Sequence, residues 1–381
     1  MLRNFKSSLL RCYMQQLAKK HVKQRVPEQV EVIALWQFGG LGDMLLATSV
    51  IQALSLKYPQ AKIHVWCSHP HFANFLTRFP QVKTIHAFAI YDFDMRTLLK
   101  AKMRKRLRSV LQTMQSYQVD MLVNLHLPKQ LDWWAVEWWL LKQLRLRFRI
   151  GFIPLFIQKH AFYDAFIHAE LGGEKHYTQL YQELLENAGV TSSRQTFFPI
   201  EQQEKLRAKA MLKAAGIDEQ KTLACMHIGG RRLKLEHKMW PVESFATLAK
   251  KLLADGLQPV LIGVESELGM GEKLCQMVPE VVSFIGKTEM GEMVSLISLA
   301  DVFIGHDSGP FHIAVAHQRP VVVICGRPDA EPEYLKYDKQ NVVVCSADLP
   351  ELITVNDVYQ IANELLSASS PPEKKGLTAH E

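Results

Sequence analysis

Short continuous apolar runs alternate along this chain with longer stretches whose apolar positions recur every three or four residues. In the first half the runs at 30–36, 61–66, 82–88 and 119–125 read as buried strands. Helical periodicity occupies 44–57, 70–79 and 95–116 between them. That alternation predicts a parallel sheet covered by helices. The rhythm blurs between 150 and 175, where Gly151, Pro154, Gly172 and Gly173 interrupt it, and a helix is predicted over 175–188. A charged helix over 201–215 then opens a second round. Its strands are expected at 222–227, 259–262, 281–285, 302–304 and 321–325, with helices at 241–255, 266–277, 289–299 and 309–317. A last strand at 341–345 and a helix at 355–367 close the pattern.

The domain plan follows from that pattern. A basic helical extension spans 1–26, and an α/β domain of Rossmann type spans 27–190. A linker covers 191–200, a second such domain covers 201–368, and the polar tail 369–381 is expected to be disordered. Two such domains bind ligands in a cleft, at the carboxyl ends of their strands.

Charge sharpens this picture. The net charge is +7, yet residues 1–26 and residues 96–108 each carry seven Lys/Arg and no acid, which leaves the remainder at −7. Two local basic patches in the N-terminal half point to an anionic partner, with solvated helix faces as the plainer account. Within 1–26, Leu2, Phe5, Leu9, Tyr13 and Leu17 recur at helical spacing. They suit either a helix lying on a membrane surface or one docked on the first domain. No apolar run is long enough to span a bilayer, and no export signal stands at the start, so a cytoplasmic protein is expected. The six cysteines include no CxxC pair, which favours reduced thiols over disulfides or a zinc site. Neither a metal nor a cofactor is expected, nor a nucleic-acid partner.

Three segments carry candidate chemistry, each at a predicted strand end. In Gln37-Phe38-Gly39-Gly40-Leu41-Gly42-Asp43, Gly39, Gly40 and Gly42 let the backbone turn tightly and approach a ligand. The loop is neither a dinucleotide fingerprint nor a Walker loop. Asp43 is either a helix cap or a general base for an attacking hydroxyl. The second segment runs from His227 to Pro241. Its Gly229-Gly230 pair and its Lys/Arg residues suit a diphosphate, with Lys238 the chosen cation. The third, Gly305-His306-Asp307-Ser308-Gly309-Pro310-Phe311-His312, runs from a strand into a helix start. Asp307 would repel a phosphate and so belongs on a sugar hydroxyl. Ser308, Gly309 and His312 can reach the same ligand, which these residue types describe as a nucleotide sugar. Glu265, also at a strand end, is either a surface carboxylate or a ribose ligand.

Other motifs favour plain readings. Asp92-Phe93-Asp94 is read as a turn and helix cap, and His69-Pro70-His71 as a loop pair. The tryptophans at 133, 134, 138 and 139 are read as core, with an interfacial face as the alternative.

With these segments in view, the chain resembles the ADP-heptose:lipopolysaccharide heptosyltransferases, glycosyltransferase family 9. The resemblance rests on Gly39-Gly40-Leu41-Gly42-Asp43, on Lys238-Met239-Trp240-Pro241, and on Asp307-Ser308-Gly309 with His312, in order over roughly residues 30 to 345. It implies a GT-B fold whose two Rossmann-like domains face each other across a cleft. It also implies an inverting transfer of heptose from ADP-heptose to an anionic, lipid-linked core saccharide. Under it Asp43 is the base, Lys238 serves the donor phosphate and Glu265 the ribose. Asp307, Ser308, Gly309 and His312 form the donor site, and the acceptor lies on the first domain. The chain departs from the family where Gly229-Gly230-Arg231 replaces the hydroxyl residues often found before the lysine. A nucleotide-sugar epimerase and a non-catalytic nucleotide-sugar-binding accessory protein stand as the alternatives.

Overall fold

The computed structural model describes residues 8–16, 24–93, 100–127, 131–157, 162–168, 175–230, 239–326, 337 and 341–369. The chain divides into two compact units, Met1–Pro199 and Ile200–Glu381.

The first unit opens with helix α1 (8–16), followed by β1 (Val32–Trp36), α2 (Leu41–Leu46), α3 (Thr48–Lys57), β2 (Lys62–Cys67) and α4 (Pro70–Ala73). It continues through β3 (Val82–Ala87), α5 (Ala101–Ser116), β4 (Met121–Asn124), α6 (Leu131–Gln143), β5 (Phe148–Ile153), β6 (Ala165–His168) and α7 (Tyr177–Asn187). Its strands form one parallel sheet in the order β3-β2-β1-β4-β5-β6. The second unit comprises α8 (Gln202–Ala214), β7 (Leu223–His227), α9 (Val242–Ala254), β8 (Gln258–Leu261), α10 (Leu268–Met277) and β9 (Val282–Ser283). Then come α11 (Met290–Leu299), β10 (Val302–His306), α12 (Gly309–Ala316), β11 (Val321–Cys325), β12 (Val342–Ser346) and α13 (Val355–Ser369). Its sheet, β12-β11-β10-β7-β8-β9, is also parallel and repeats the order of the first. Both sheets are of the parallel α/β class expected. In each, chain direction across the sheet reverses once, at β1/β4 and at β7/β10, and a crevice opens there outside the strand ends.

The expected strands are present, and two unexpected ones lie where the rhythm blurred. β5 carries Arg149 and Gly151, which break its apolar run. Gly151 is needed because a Cβ there would stand 2.4 Å from the Tyr163 ring. β6 is short, and after Ala165 its positions are only partly buried or, at His168, exposed. The helix predicted over 44–57 is two helices that begin at Leu41 and break at Ala47. There the Thr48 and Ser49 hydroxyls bond back to the carbonyls of Leu45 and Leu46.

Fully buried strands such as Val321–Cys325 reflect helices covering both faces of a parallel sheet. Trp134 and Trp138 of α6 lie in the core, while Trp133 and Trp139 are half-buried. On α5, Leu107, Leu111 and Met114 are buried, and Lys102, Arg104, Lys105, Arg106 and Arg108 are exposed. Residues 191–199 form neither helix nor strand. Phe198 stacks on Phe75 and the Phe197 N–H bonds Thr48 Oγ1, so this segment is docked on the first unit.

On α1 the buried stripe is Leu10 and Met14, while Leu9 is 57% exposed, so the helix packs with a different face from the one Leu9 and Tyr13 suggested. Arg11 lies over the Phe156 ring at 5.2 Å. Leu2, Phe5 and Leu17 fall outside the described residues. Among the described residues no helix is long and apolar enough to cross a membrane.

Candidate active site

The crevice of the first unit is built by the β1–α2 turn. Gly40 is the N-cap of α2, and Asp43 sits in its first turn with Oδ2 accepting the Gly40 N–H at 2.7 Å. The carboxylate folds back over Gly39, where a Cβ would come within 2.1 Å of Asp43 Cγ. Glycine at 39 is thus a condition for the position of Asp43. Gly42 lies within the helix rather than in the loop. The cap is Gly40, not Asp43, although the aspartate does help hold the helix start.

Around Asp43, Gln37 donates to the Tyr181 hydroxyl at 2.9 Å and its own oxygen receives the Gly39 N–H at 3.3 Å. Burial first, and then the Asp43 carboxylate, push the phenols of Tyr91 and Tyr181 above the ordinary tyrosine range, with Glu137 adding to the effect at Tyr91. Both rings therefore lie within electrostatic reach of Asp43. Beside them, at the end of β4, His126 pairs with Glu137, a group that the sequence patterns did not single out.

The crevice of the second unit collects the residues after β7 and β10. Asp307, Ser308 and Gly309 lead into α12, and buried His312 bonds the Tyr337 hydroxyl at 2.7 Å. Ser308 holds the N-cap position without capping the helix. Its hydroxyl donates to the His306 carbonyl at 3.1 Å and lies 3.1 Å from His227 Nδ1. His227 Nε2 in turn stands 3.4 Å from the Glu267 carboxylate.

Glu267 is the second residue that sequence reasoning missed. Burial alone would raise its pKa; His227 and the N–H groups of Val264 and Gly230 outweigh that and hold it below the ordinary carboxylate range. Its carboxylate lies against backbone, since Cβ atoms at Gly229 and Gly263 would come within 2.0 and 2.3 Å of its two oxygens. The legible signal was those two glycines at adjacent strand ends. Glu265, two residues earlier, is exposed. Lys238 lies outside the described residues.

His306 anchors the loop that leads to Lys238. Its Nδ1–H donates to the Gly229 carbonyl at 3.0 Å and its Nε2 accepts the Trp240 N–H at 2.8 Å. One imidazole thus holds both ends of the basic loop. Burial first, with nearby His227, lowers its pKa to about 4, against the opposing pull of the Gly229 carbonyl and Glu267. The ring is neutral at pH 7.

The remaining motifs take ordinary structural places where they are described. Asp92 ends a short 3-10 turn and pairs with Arg106 at 3.0 Å, and Asp94 lies outside the described residues. His69 and His71 sit at the start of α4. Among the described residues no cluster of three His, Cys, Asp or Glu could hold a metal ion. None of the six cysteines forms a disulfide, and burial raises the thiols of Cys67 and Cys345 to about 11.

Comparison with known proteins places this architecture among glycosyltransferases. Lipopolysaccharide heptosyltransferase 3 of Escherichia coli K12 is 26% identical over 299 residues, covering 76% of this chain and 80% of that protein. The glycosyltransferase family 9 structure from Veillonella parvula superposes with a TM-score of 0.70 at 18% identity, over 90% of this chain and 99% of the other. Escherichia coli heptosyltransferase WaaC with ADP superposes with a TM-score of 0.64 at 18% identity, over 88% of this chain and 99% of the other. These likenesses bear out the GT-B fold class. The sequence model of glycosyltransferase family 9 (heptosyltransferase) matches residues 139–361, more than half of the chain, from α6 through the α12 segment into α13. By that match the chain belongs to glycosyltransferase family 9, the heptosyltransferases.

Proposed function

We propose that this glycosyltransferase moves heptose from ADP-heptose onto the lipopolysaccharide core, with inversion at the anomeric carbon. The observation that carries the reading is the Asp307-Ser308-Gly309 segment at the end of β10, which opens α12 within the matched family region. A structural relative holding ADP supports a nucleotide-sugar donor. The heptosyltransferase 3 relative supports a lipopolysaccharide acceptor.

In this reading Asp43 removes the proton of the acceptor hydroxyl as its oxygen attacks the anomeric carbon. The bond to the diphosphate breaks, and ADP leaves with the electron pair. Lys238 and the helix start at Ser308 and Gly309 stabilise the negative charge that grows on the diphosphate. Asp307 and His312 orient the heptose, and Glu265 binds ribose hydroxyls. Gly39, Gly40 and Gly42 shape the acceptor side. The exposed cations of α5 suit an anionic acceptor, and the basic N-terminal segment suits contact with the cytoplasmic face of the inner membrane.

The test has two parts. A calorimetric titration with ADP-, UDP-, GDP- and TDP-sugars should select ADP-heptose; selection of another base would overturn the donor. Asp43→Asn should abolish transfer and leave donor binding nearly unchanged, so an active variant would remove Asp43 from the role of base.

A further inference from the structure

Asn124, His126, Glu137 and Tyr163 form a buried polar cluster at the carboxyl end of β4, beside the turn that carries Asp43. Glu137 projects from α6 with no exposure at all. One of its oxygens takes His126 Nδ1, and the other accepts from Asn124 Nδ2 at 3.1 Å. Asn124 Oδ1 accepts the His126 backbone N–H at 3.0 Å, and its amide nitrogen also reaches the Tyr163 hydroxyl at 2.8 Å. Both the ring of His126 and its backbone are therefore held.

Desolvating a carboxylate this completely is costly, and an apolar core often serves stability as well or better. The pair therefore calls for a role beyond packing. Nδ1 is committed to Glu137. Among the described residues nothing bonds Nε2, and it is not among the polar atoms sealed from solvent there. A carboxylate that fixes one ring nitrogen sets the direction of the other, as the carboxylate does in other carboxylate–histidine arrangements.

The surroundings place that nitrogen on the acceptor side. The Phe38 ring, from the glycine-rich turn, meets the His126 ring edge-on at 5.2 Å. Tyr91 meets it edge-on at 5.4 Å and packs against Trp133 at 4.9 Å. Tyr91 also lies within electrostatic reach of both Asp43 and Glu137. Aromatic edges and one directed nitrogen, next to a carboxylate, are what a bound sugar needs beside the hydroxyl that reacts.

We propose that His126, oriented by Glu137, is an acceptor-binding residue whose Nε2 hydrogen-bonds an oxygen of the acceptor sugar. The inference rests on the transfer reading above. Glu137 and Asn124 are positioning residues, and α6 contributes its buried carboxylate to the site as well as its tryptophans to the core.

Steady-state transfer by the full chain tests this, with donor and acceptor varied separately. His126→Gln should raise the acceptor KM about tenfold, the worth of one hydrogen bond, while the donor KM stays within about twofold. In His126→Ala, added imidazole should restore part of the loss, which a purely structural role would not allow. If either single variant fails to fold, the pair His126→Gln with Glu137→Gln replaces both partners together and carries the same measurement. An unchanged acceptor KM in a folded variant, checked by circular dichroism, overturns the inference. Wild-type protein that transfers no heptose to any core acceptor instead overturns the parent reading, and the two failures are thereby told apart.

Discussion

Gly229 and Gly230 are adjacent, and the structure predicts opposite tolerance to the same change. A Cβ at Gly229 would lie 2.0 Å from Glu267 Oε1, where ordinary contact begins at 3.4 Å, whereas a Cβ at Gly230 meets nothing within 4 Å. Neither residue has a positive φ, so alanine adds no backbone strain at either. The Glu267 carboxylate cannot retreat toward Gly263, because its other oxygen already lies against that residue. It must leave its site. In doing so it gives up the Val264 N–H at 2.9 Å and the pairing with His227 at 3.4 Å. Hydrogen bonds to a charged group contribute about 1.5–3 kcal/mol each, so Gly229→Ala should destabilise the second unit by roughly 3 kcal/mol. For a unit of this size that lowers the melting temperature by roughly 6–12 °C. Gly230→Ala should stay within about 0.5 kcal/mol. Thermal unfolding followed by tryptophan fluorescence, repeated as a urea titration, reads both. Equal midpoints for the two variants, or a larger loss in Gly230→Ala, would refute the wedged position of Glu267.

Two further outcomes follow from the same geometry. Since His306 is neutral when folded, with a pKa of about 4 against an ordinary 6.5, the unfolded chain takes up a proton first as pH falls. Stability is therefore kept above about pH 6.5 and lost between there and pH 4. Between pH 7 and pH 5 the loss from this one group is about 2 kcal/mol. His306→Gln keeps a donor and an acceptor and should flatten that slope in urea titrations; an unaltered slope would contradict the neutral clamp. On α5, replacing exposed Lys102, Lys105 and Arg108 with Glu should change stability little. It should raise the KM for a phosphorylated core acceptor, with the difference shrinking at high salt. An acceptor KM indifferent to these charges would remove the patch from acceptor binding.

The sequence by itself determined the parallel α/β class and the strand ends that carry the candidate segments. Apolar runs and helical periods survive translation into structure when helices cover both faces of a sheet, as at Val321–Cys325. Local punctuation was equally legible: the glycines at 39 and 40 and the Ser308-Gly309-Pro310 helix start need no distant partner to be recognised. β5 was hidden because Gly151 was chosen for the Tyr163 ring rather than for strand propensity. The face by which α1 packs was hidden because Leu9 and Leu10 are equally apolar, and only the docked helix distinguishes them.

Tertiary structure alone decided which polar residues are partners. His126 and Glu137 stand 11 positions apart, His227 and Ser308 stand 81 apart, and His306 holds Gly229 across 77. No local pattern encodes such pairs: two are set by strands that lie side by side, and the third by how α6 packs back on the end of β4. Buried Glu137 and Glu267 look like any other glutamates in the sequence. Their roles follow from burial, which makes a partnered carboxylate fix the groups around it.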